Sequence, residues 1–442
     1  MTIDLNSLMG PGWVDGSVYT DEEIFEAERI RIFRQTWLYV AHESEVPEAG
    51  DYQRRELAGE PVIVVRDRDE AVRVLLNRCR HRGNLVCQEA EGNAQFFRCQ
   101  YHGWTYANRG DLVGVPYPKS YGDDFDKSAM GLAAMPRVDT YRGFIFASFN
   151  PDVPELSEHL GEGAQRLIDV FIDQSPTGRI TVRSGVQRSE YRGNWKFVGM
   201  DGYHTNFVHK SVEMLQHADK GPEHGDQEKA DQADMGPLEF GKSPDKLGNT
   251  AWSLGRGHVH INNSPQRLAK SDKTIADLTA TADGAAYLVS MEAAYGQARA
   301  RELICAPDPH LGLFPNLQII GVHIRVIEPV AADRTVIVQY PALLEGVPDE
   351  INTHRLRKHE WFFSPAGFGS PDDYEIFERN QAGLAADVEP RVVLTRGLGA
   401  ETTRADGVVE GAYTDEVPQR GQLERWTELM SAAGSPGMDE AS

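Results

Sequence analysis

The sequence has few cysteines, no long apolar run and no excess of positive charge. Four cysteines in 442 residues are too few for a disulfide scaffold. No apolar run approaches the ~20 residues that span a bilayer, and the N-terminus lacks the basic flank and apolar core of a signal peptide. The net charge of -22 argues against a nucleic-acid partner, because phosphates require a basic surface. We therefore expect a cytoplasmic protein with no membrane or nucleic-acid partner.

A phosphate-cradling glycine loop is also missing, so we expect the chain itself to bind no nicotinamide or flavin. The length predicts two or three domains. Short β-rich runs punctuated by Gly, Asp and Asn predict a small antiparallel β-domain. These runs lie at 61–67, 71–76, 94–99, 104–112 and 143–149. Strands at 316–330 and 334–343, after a helical stretch at 156–173, predict a larger domain with an antiparallel sheet.

Two short segments each combine a cysteine with a histidine. They read "CRHRG" (79–83) and "CQYHG" (99–103), with 17 residues between His81 and Cys99. Zinc could bind two thiols and two imidazoles, but zinc hairpins usually pair Cys with Cys and His with His. Mixed loops suit a binuclear iron–sulfur cluster, in which two thiolates bind one iron and two imidazoles the other. Both readings stay open on the loops alone, and Cys87 fits neither pattern, so we predict a packed thiol there.

A second set of candidate ligands begins at "NWKFVGMDGYHTNFVH" (194–209). His204 and His209 are five residues apart, and Asp201 precedes His204 by three. Five residues turn an ideal helix by about 500°, so both imidazoles reach one metal only where the helix is distorted or broken. Two histidines and a carboxylate would form the facial triad of non-haem Fe(II). Carboxylates are available in "SPAGFGSPDDYEIFERNQAG" (364–383), although composition alone suggests an ordinary helix N-cap there.

In combination these motifs resemble those of Rieske non-haem iron aromatic-ring-hydroxylating oxygenases, in their large (α) subunit. "CRHRG…CQYHGW" is similar to the Rieske [2Fe-2S] signature, and residues 201–209 are similar to the D-x-Y-H-x(4)-H run of the catalytic domain. The resemblance extends from about residue 20 to 390. It implies a Rieske cluster on Cys79, His81, Cys99 and His102, and an Fe(II) site on His204, His209 and Asp373, the second of the "DD" pair.

The resemblance also implies a role for Asp201 and an assembly. In the family, the aspartate before the first histidine bridges a Rieske histidine of a neighbouring subunit to an iron ligand, and Asp201 and His102 carry that match. The implied assembly is a head-to-tail homotrimer, with or without a small β subunit. Only four residues, 197–200, separate "NWK" from Asp201, where relatives usually have seven or eight. We therefore expect a helix about one turn shorter and a changed environment near the iron.

The implied fold is α+β, with four segments. Residues 1–40 form an N-terminal helical segment that packs on the catalytic domain, and 41–152 form the antiparallel β Rieske domain. Residues 153–430 form the catalytic domain, whose antiparallel sheet is covered by helices in a helix-grip-like arrangement, and 431–442 form a flexible tail. The polar stretch 218–248 is either a linker or a mobile lid over a site.

The implied function is that of a terminal oxygenase in the catabolism of aromatic compounds. It activates O2 at the mononuclear iron to hydroxylate, and preferably cis-dihydroxylate, an aromatic substrate, with electrons from NAD(P)H through a separate reductase, a ferredoxin or both. A Rieske monooxygenase or O-demethylase is the close alternative. An electron-transfer or zinc-binding protein without oxygen chemistry is the alternative of a different class, and a regulatory protein with a degenerate site is a third. His258 and His260 share a strand face and either orient a polar substrate group or are simply packed.

Overall fold

The structure is a computed structural model, and it describes residues 5–203, 248–306, 309–367 and 369–432. The predicted lid at 218–248 lies almost wholly outside these ranges, as do residues 433–442 of the predicted tail. No helix among the described residues is long and apolar enough to cross a membrane.

The N-terminal segment begins with short elements and a capped helix. They are α1 (Leu5–Leu8), β1 (Met9–Gly10), β2 (Trp13–Asp15), α2 (Ser17–Thr20), α3 (Glu22–Glu28) and a π-helical turn (Arg29–Phe33). The Asp21 carboxylate accepts hydrogen bonds from the backbone N–H groups of Glu23 and Ile24, at 2.7 and 3.1 Å. Asp21 thus caps α3, and the α-helix ends at Glu28 because a π-turn follows it.

The small β-domain contains ten strands between residues 38 and 148 in the described chain. They are β3 (Leu38–His42), β4 (Asp51–Leu57), β5 (Glu60–Arg66), β6 (Val72–Leu76), β7 (Glu91–Asn93), β8 (Phe96–Arg98), β9 (Thr105–Ala107), β10 (Leu112–Gly114), β11 (Arg137–Tyr141) and β12 (Phe144–Ser148). They form antiparallel sheets in the orders β6-β5-β4-β7, β10-β9-β8 and β11-β12-β3. The prediction of one strand at 104–112 was wrong, because the chain turns back at Gly110 to make the β9–β10 hairpin.

The larger domain contains the remaining elements. The strands are β13 (Ile180–Thr181), β14 (Gln187–Tyr191), β15 (Thr250–Gly255), β16 (His258–Asn262), β17 (His310–Leu313), β18 (Leu317–Ile320), β19 (His323–Ala331), β20 (Arg334–Pro341), β21 (Leu343–Leu344), β22 (Arg391–Val393), β23 (Thr402–Thr403) and β24 (Val409–Ala412). The helices are α4 (Leu156–Ile172), α5 (Ser264–Leu268), α6 (Ser271–Thr279), α7 (Ala282–Tyr295), α8 (Gln297–Cys305), α9 (Asp349–Phe362), α10 (Gly369–Gly383), α11 (Val417–Ser431) and a π-helical turn (Phe197–Asp201).

A nine-stranded antiparallel sheet is the centre of the larger domain, in the order β14-β20-β19-β18-β17-β16-β15-β24-β23. The predicted single strand at 316–330 was wrong: Gly321, with φ +59°, breaks it into the β18–β19 hairpin. One face of the sheet, which includes Ile319, Ile324 and Val338, packs in an apolar cluster with α4. The opposite face changes along β19 from apolar Ile327 to polar groups, so it provides the wall of a polar site.

Candidate active site

The two Cys/His loops fold alike. In the first, the Gly83 N–H donates to the Cys79 carbonyl at 2.9 Å, and in the second the Gly103 N–H donates to the Cys99 carbonyl at 2.9 Å. Both glycines adopt positive φ, +74° and +72°, which side chains disfavour. The shared geometry explains why a glycine stands four residues after each cysteine.

The structure brings the four predicted cluster ligands together. Cys79 and Cys99 are each 2% exposed, whereas His81 and His102 are half-buried, with ring centroids 4.5 Å apart. The Nδ1 atom of His81 is buried and has no hydrogen-bond partner among the described residues. A buried, unpartnered imidazole nitrogen beside a second imidazole fits a metal-bound ligand. The thiols lie inside and the imidazoles at the domain surface, so a cluster held here would be accessible through its histidine side.

Polar groups beside the thiols were not identified from the sequence. The Tyr106 hydroxyl lies 3.2 Å from the Cys79 sulfur, and the Asn84 amide donates to the Cys99 sulfur at 3.6 Å. Burial raises the pKa of Cys99, but backbone N–H groups of Tyr101 and His102 and the Asn84 amide lower it, and the net shift is downward. Such donors stabilise a thiolate and raise the reduction potential of a cluster bound to it. The one sequence signal for Tyr106 is its spacing from Trp104. The two aromatic residues are two positions apart after the second loop, and side chains two apart on a strand lie on the same face.

No three His, Cys, Asp or Glu side chains form a single-metal site within the described ranges. A Rieske cluster divides its four ligands between two irons, so the Cys/His loops need not form such a group. His204 and His209 lie outside the described residues, and of the predicted mononuclear ligands the structure places only Asp373. It lies in the first turns of α10, half-buried, directly before the buried Tyr374. The turn-then-helix predicted at 364–383 is confirmed.

The segment that leads to His204 is a π-helical turn, Phe197–Asp201. This distorted helix ends three residues before His204, and the distortion predicted between His204 and His209 lies outside the described residues. Three buried glutamines bind carbonyl groups of this region. Gln318 donates to Val198 at 2.6 Å, Gln422 to Gly199 at 2.9 Å and Gln419 to Tyr203 at 2.9 Å. Because a helix end leaves carbonyls unpaired, these amides fix the turn in place.

Asp201, at the end of the π-turn, is half-buried. The Tyr19 hydroxyl donates to its carboxylate at 3.4 Å. Burial raises the pKa of Asp201 to about 7, although the Tyr19 hydrogen bond and the charge of Lys196 lower it. The carboxylate therefore loses much of its hydration.

A fully buried ion pair joins the N-terminal segment to the π-turn. Lys196 Nζ lies 2.6 Å from the Glu28 carboxylate, and both side chains are 0% exposed. Trp195 and Trp426 donate their indole N–H groups to the same carboxylate, at 2.8 and 2.6 Å. A buried charge is tolerated when it is paired and fully hydrogen-bonded, so this cluster fixes the position of the helix that carries Asp201.

His258, on β16, is a buried histidine held by backbone groups. His258 is 1% exposed, its Nδ1 accepts from the Phe314 N–H at 3.1 Å, and its Nε2 lies 2.8 Å from the His159 carbonyl. Both ring nitrogens are thus satisfied by backbone, and the packed reading of His258 is correct. A cleft of about 810 Å³ lies on the Val338 side of the sheet, and among the described residues no predicted metal ligand lines it.

Comparison with known proteins identifies the family. Residues 36–141 match the Rieske [2Fe-2S] domain, and residues 178–428 match the catalytic domain of the ring-hydroxylating α subunits. The chain belongs to the ring-hydroxylating oxygenase α subunits. It is 33% identical over 393 residues to the anthranilate 1,2-dioxygenase large subunit of Acinetobacter baylyi, covering 86% of this chain and 79% of that protein. It is 34% identical over 384 residues to the toluate 1,2-dioxygenase α subunit of Pseudomonas putida, and the match covers 83% of this chain and 78% of that protein.

The fold agrees with that assignment. A mutant naphthalene 1,2-dioxygenase bound to phenanthrene superposes with a TM-score of 0.80 at 23% identity, over 97% of this chain and 95% of that one. The predicted α+β fold, with a small Rieske domain and a larger sheet-and-helix catalytic domain, is confirmed. As a ring-hydroxylating oxygenase α subunit, the chain carries a Rieske [2Fe-2S] cluster and a non-haem iron and oxidises aromatic rings. The domain boundaries and the individual ligands stay predictions.

Proposed function

We propose that this oxygenase α subunit cis-dihydroxylates an aromatic substrate at an iron held by His204, His209 and Asp373. Its cluster would be held by Cys79, His81, Cys99 and His102, the two loops that the fold brings together. One O2, two electrons and two protons would add two hydroxyl groups to neighbouring ring carbons. When bound, the cluster supplies electrons and the mononuclear iron supplies open positions for O2.

The observation that carries the proposal is the position of Asp201. It ends a distorted helical turn three residues before His204, and the residue is half-buried. We infer that its carboxylate accepts a hydrogen bond from His102 of a neighbouring copy and also orients His204. Tyr19 would hold the carboxylate in that orientation through its 3.4 Å hydrogen bond.

We further propose a head-to-tail homotrimer, to which a small β subunit can be added, that is reduced by a reductase or ferredoxin. The cytoplasm suits its four cysteines, which are all free. An aromatic acid is the first substrate to test, because the two relatives are named for anthranilate and toluate, which are benzoic acids.

The experiment combines low-temperature EPR of the dithionite-reduced protein with iron and acid-labile sulfide assays on the same sample. We expect a Rieske signal and about three irons per chain. Turnover under ¹⁸O2 should then place two labelled oxygen atoms in the product. One labelled atom would support the monooxygenase or O-demethylase alternative, and a zinc-containing sample without sulfide would contradict the oxygenase assignment altogether.

A further inference from the structure

A row of polar side chains crosses the central sheet on the face opposite α4. Strand pairing places Gln339 beside Arg325, Arg325 beside Gln318, and Gln318 beside Gly312. Directly paired residues project to the same side of a sheet, so these side chains share one face. Arg325 is 4% exposed, and Gln318 and Gln339 are each 1% exposed. The row is therefore buried, although it carries a full positive charge.

The Arg325 guanidinium has only neutral partners among the described residues. Its Nη1 donates to the Gln318 side chain at 3.3 Å and its Nη2 to the Ser370 hydroxyl at 3.2 Å, whereas Nε has no partner. Within the described chain, three of its five N–H groups are thus unused. A buried charge without a counter-ion is unfavourable, so this guanidinium can accept an anion as a partner.

Other unpartnered polar atoms surround the same place. Both ring nitrogens of His323, the Nδ1 of His359, the Gln339 carbonyl and the Tyr374 hydroxyl are buried without hydrogen-bond partners in the described chain. The His323 and His359 rings lie 4.8 Å apart. Burial and then the charge of Arg325 lower the pKa of His359 to about 4, so that ring is neutral at pH 7. The concentration of unsatisfied groups is typical of a pocket that takes a polar ligand.

Arg325 directly contacts the helix that carries Asp373 and is linked through Gln318 to the π-turn that leads to His204. Ser370, its Nη2 partner, lies three residues before Asp373 on α10, which is about one helical turn, or ~5 Å. Gln318, its Nη1 partner, donates to Val198 in the π-turn that leads to His204. At the end of the row, a Cβ on Gly312 would lie 2.3 Å from the Tyr203 ring, so glycine is required for the π-turn to approach the sheet. The guanidinium thus contacts a residue one helical turn from Asp373, which would hold the iron.

We propose that Arg325 binds the carboxylate of an aromatic acid substrate and so determines both substrate class and orientation. The inference rests on the proposed function of the same site. A guanidinium recognises a planar carboxylate by two parallel hydrogen bonds, and a neutral arene cannot satisfy it. With the carboxylate held about one helical turn from Asp373, the ring carbon that bears it and the neighbouring carbon would be the ones presented to an iron held there. The O–O bond of one O2 would break, one oxygen atom would bond to each of these carbons with loss of one ring double bond, and two electrons from NAD(P)H through the reductase and two protons from solvent would complete the two hydroxyl groups.

The test compares benzoate with benzamide, a neutral molecule of the same shape, in the holoenzyme. We expect wild type to prefer benzoate, and Arg325→Gln to lower kcat/KM for benzoate by about 100-fold while changing that for benzamide less than about threefold. Arg325→Lys keeps the positive charge but cannot form two parallel hydrogen bonds to a carboxylate. This variant should therefore still prefer benzoate over benzamide, but by a smaller factor. Arg355→Gln is the matched control, because Arg355 is also buried with neutral partners, Gln174 and the Ala342 carbonyl. Arg355→Gln should change kcat/KM for benzoate and for benzamide by the same factor.

A second readout does not need turnover. Benzoate should raise the unfolding temperature of wild type and of Arg355→Gln but not that of Arg325→Gln. Equal losses for benzoate and benzamide in Arg325→Gln would overturn the proposal, as would a wild type that oxidises neutral arenes but not benzoate. Oxidation of benzoate at ring carbons away from the carboxylate would overturn the orientation. Failure of the proposed function can be distinguished from failure of the Arg325 proposal, because in the first case the wild-type protein would oxidise no arene at all.

Discussion

At the scale of single residues, the roles proposed for Asp201 and Asp373 differ because the surroundings of the two carboxylates differ. Asp201 is packed against Tyr19 near the buried Lys196, and burial raises its pKa to about 7. Asp373 instead lies at the start of α10, where the helix N-terminus favours a negative charge. The first suits a carboxylate that accepts hydrogen bonds from imidazoles, and the second suits an iron ligand.

Asp201→Asn tests the first task. We expect the variant to retain both metals and to lose nearly all turnover, since an amide is a weaker acceptor for the two imidazoles. The measurement is the decay of the reduced Rieske EPR signal after O2 and substrate are added, with iron assayed in parallel. The reduced signal should persist in the variant.

Tyr19→Phe is the control, since it removes the 3.4 Å hydrogen bond and leaves the carboxylate. It should slow turnover far less than Asp201→Asn. Wild-type turnover in a metal-replete Asp201→Asn protein would refute the bridging role.

At the scale of elements, His258 connects three of them. Its strand β16 is joined to α4 through the His159 carbonyl and to the segment before β18 through the Phe314 N–H. Because Nδ1 accepts from Phe314, Nε2 must carry the proton and donate to His159, so the ring is neutral. Burial, together with the charges of the nearby Arg425 and Arg256, lowers the pKa of His258 to about 4, although the hydrogen bond to the His159 carbonyl raises it.

This neutral histidine predicts a loss of stability in acid. The unfolded chain binds a proton near pH 6.5 and the folded chain only near pH 4, so stability is complete above pH 6.5 and falls as the pH drops to 4. The contribution of His258 is about 3 kcal/mol. His258→Gln keeps a donor for the His159 carbonyl and cannot titrate. Its unfolding temperature, measured from pH 7 to pH 4, should therefore fall less steeply than that of wild type.

Val388, which is 94% exposed and does not titrate, provides the comparison, and Val388→Ala should follow the wild-type pH dependence throughout. An identical pH dependence in His258→Gln would show that the pKa of His258 is the same in the folded and the unfolded chain.

At the scale of the whole molecule, the arrangement of the cluster loops determines where electrons can leave. The thiols are buried and the imidazoles half-exposed, so a cluster held by these four side chains would transfer electrons through His81 or His102 at the domain surface. In a closed head-to-tail ring, every subunit presents this surface to the next one. We therefore expect each iron to be served by the cluster of a neighbour.

Mixed trimers test this expectation. Cys99→Ser should remove the cluster and Asp373→Ala the mononuclear iron, and either variant alone should be inactive. Co-expressed with different tags and purified through both, they form trimers in which one interface of three joins an intact cluster to an intact iron. We expect about a third of wild-type turnover. Complete inactivity, with each remaining metal present, would show that electrons stay within one subunit.

The sequence by itself determined the local features of this protein. The spacing of "CRHRG" and "CQYHG" predicted two loops that hold one site, and the glycine four residues after each cysteine is sufficient to close each loop. The Asp21 cap and the turn before α10 were predictable for the same reason, because each depends on residues within one turn of the chain. The five-residue spacing of His204 and His209 indicated a distorted helix without showing its form.

Only the tertiary structure decided the features that join distant segments. Arg325 became a candidate anion site once β18, β19 and β20 aligned it with Gln318 and Gln339, and α10 added Ser370. The burial of Glu28 beside Lys196, 168 residues away, likewise has no local signal. The splitting of 316–330 into two strands depended on Gly321 adopting positive φ within a sheet. The physical reason is that charge burial and strand register are properties of packed neighbours, whereas composition and periodicity report only a residue's own segment.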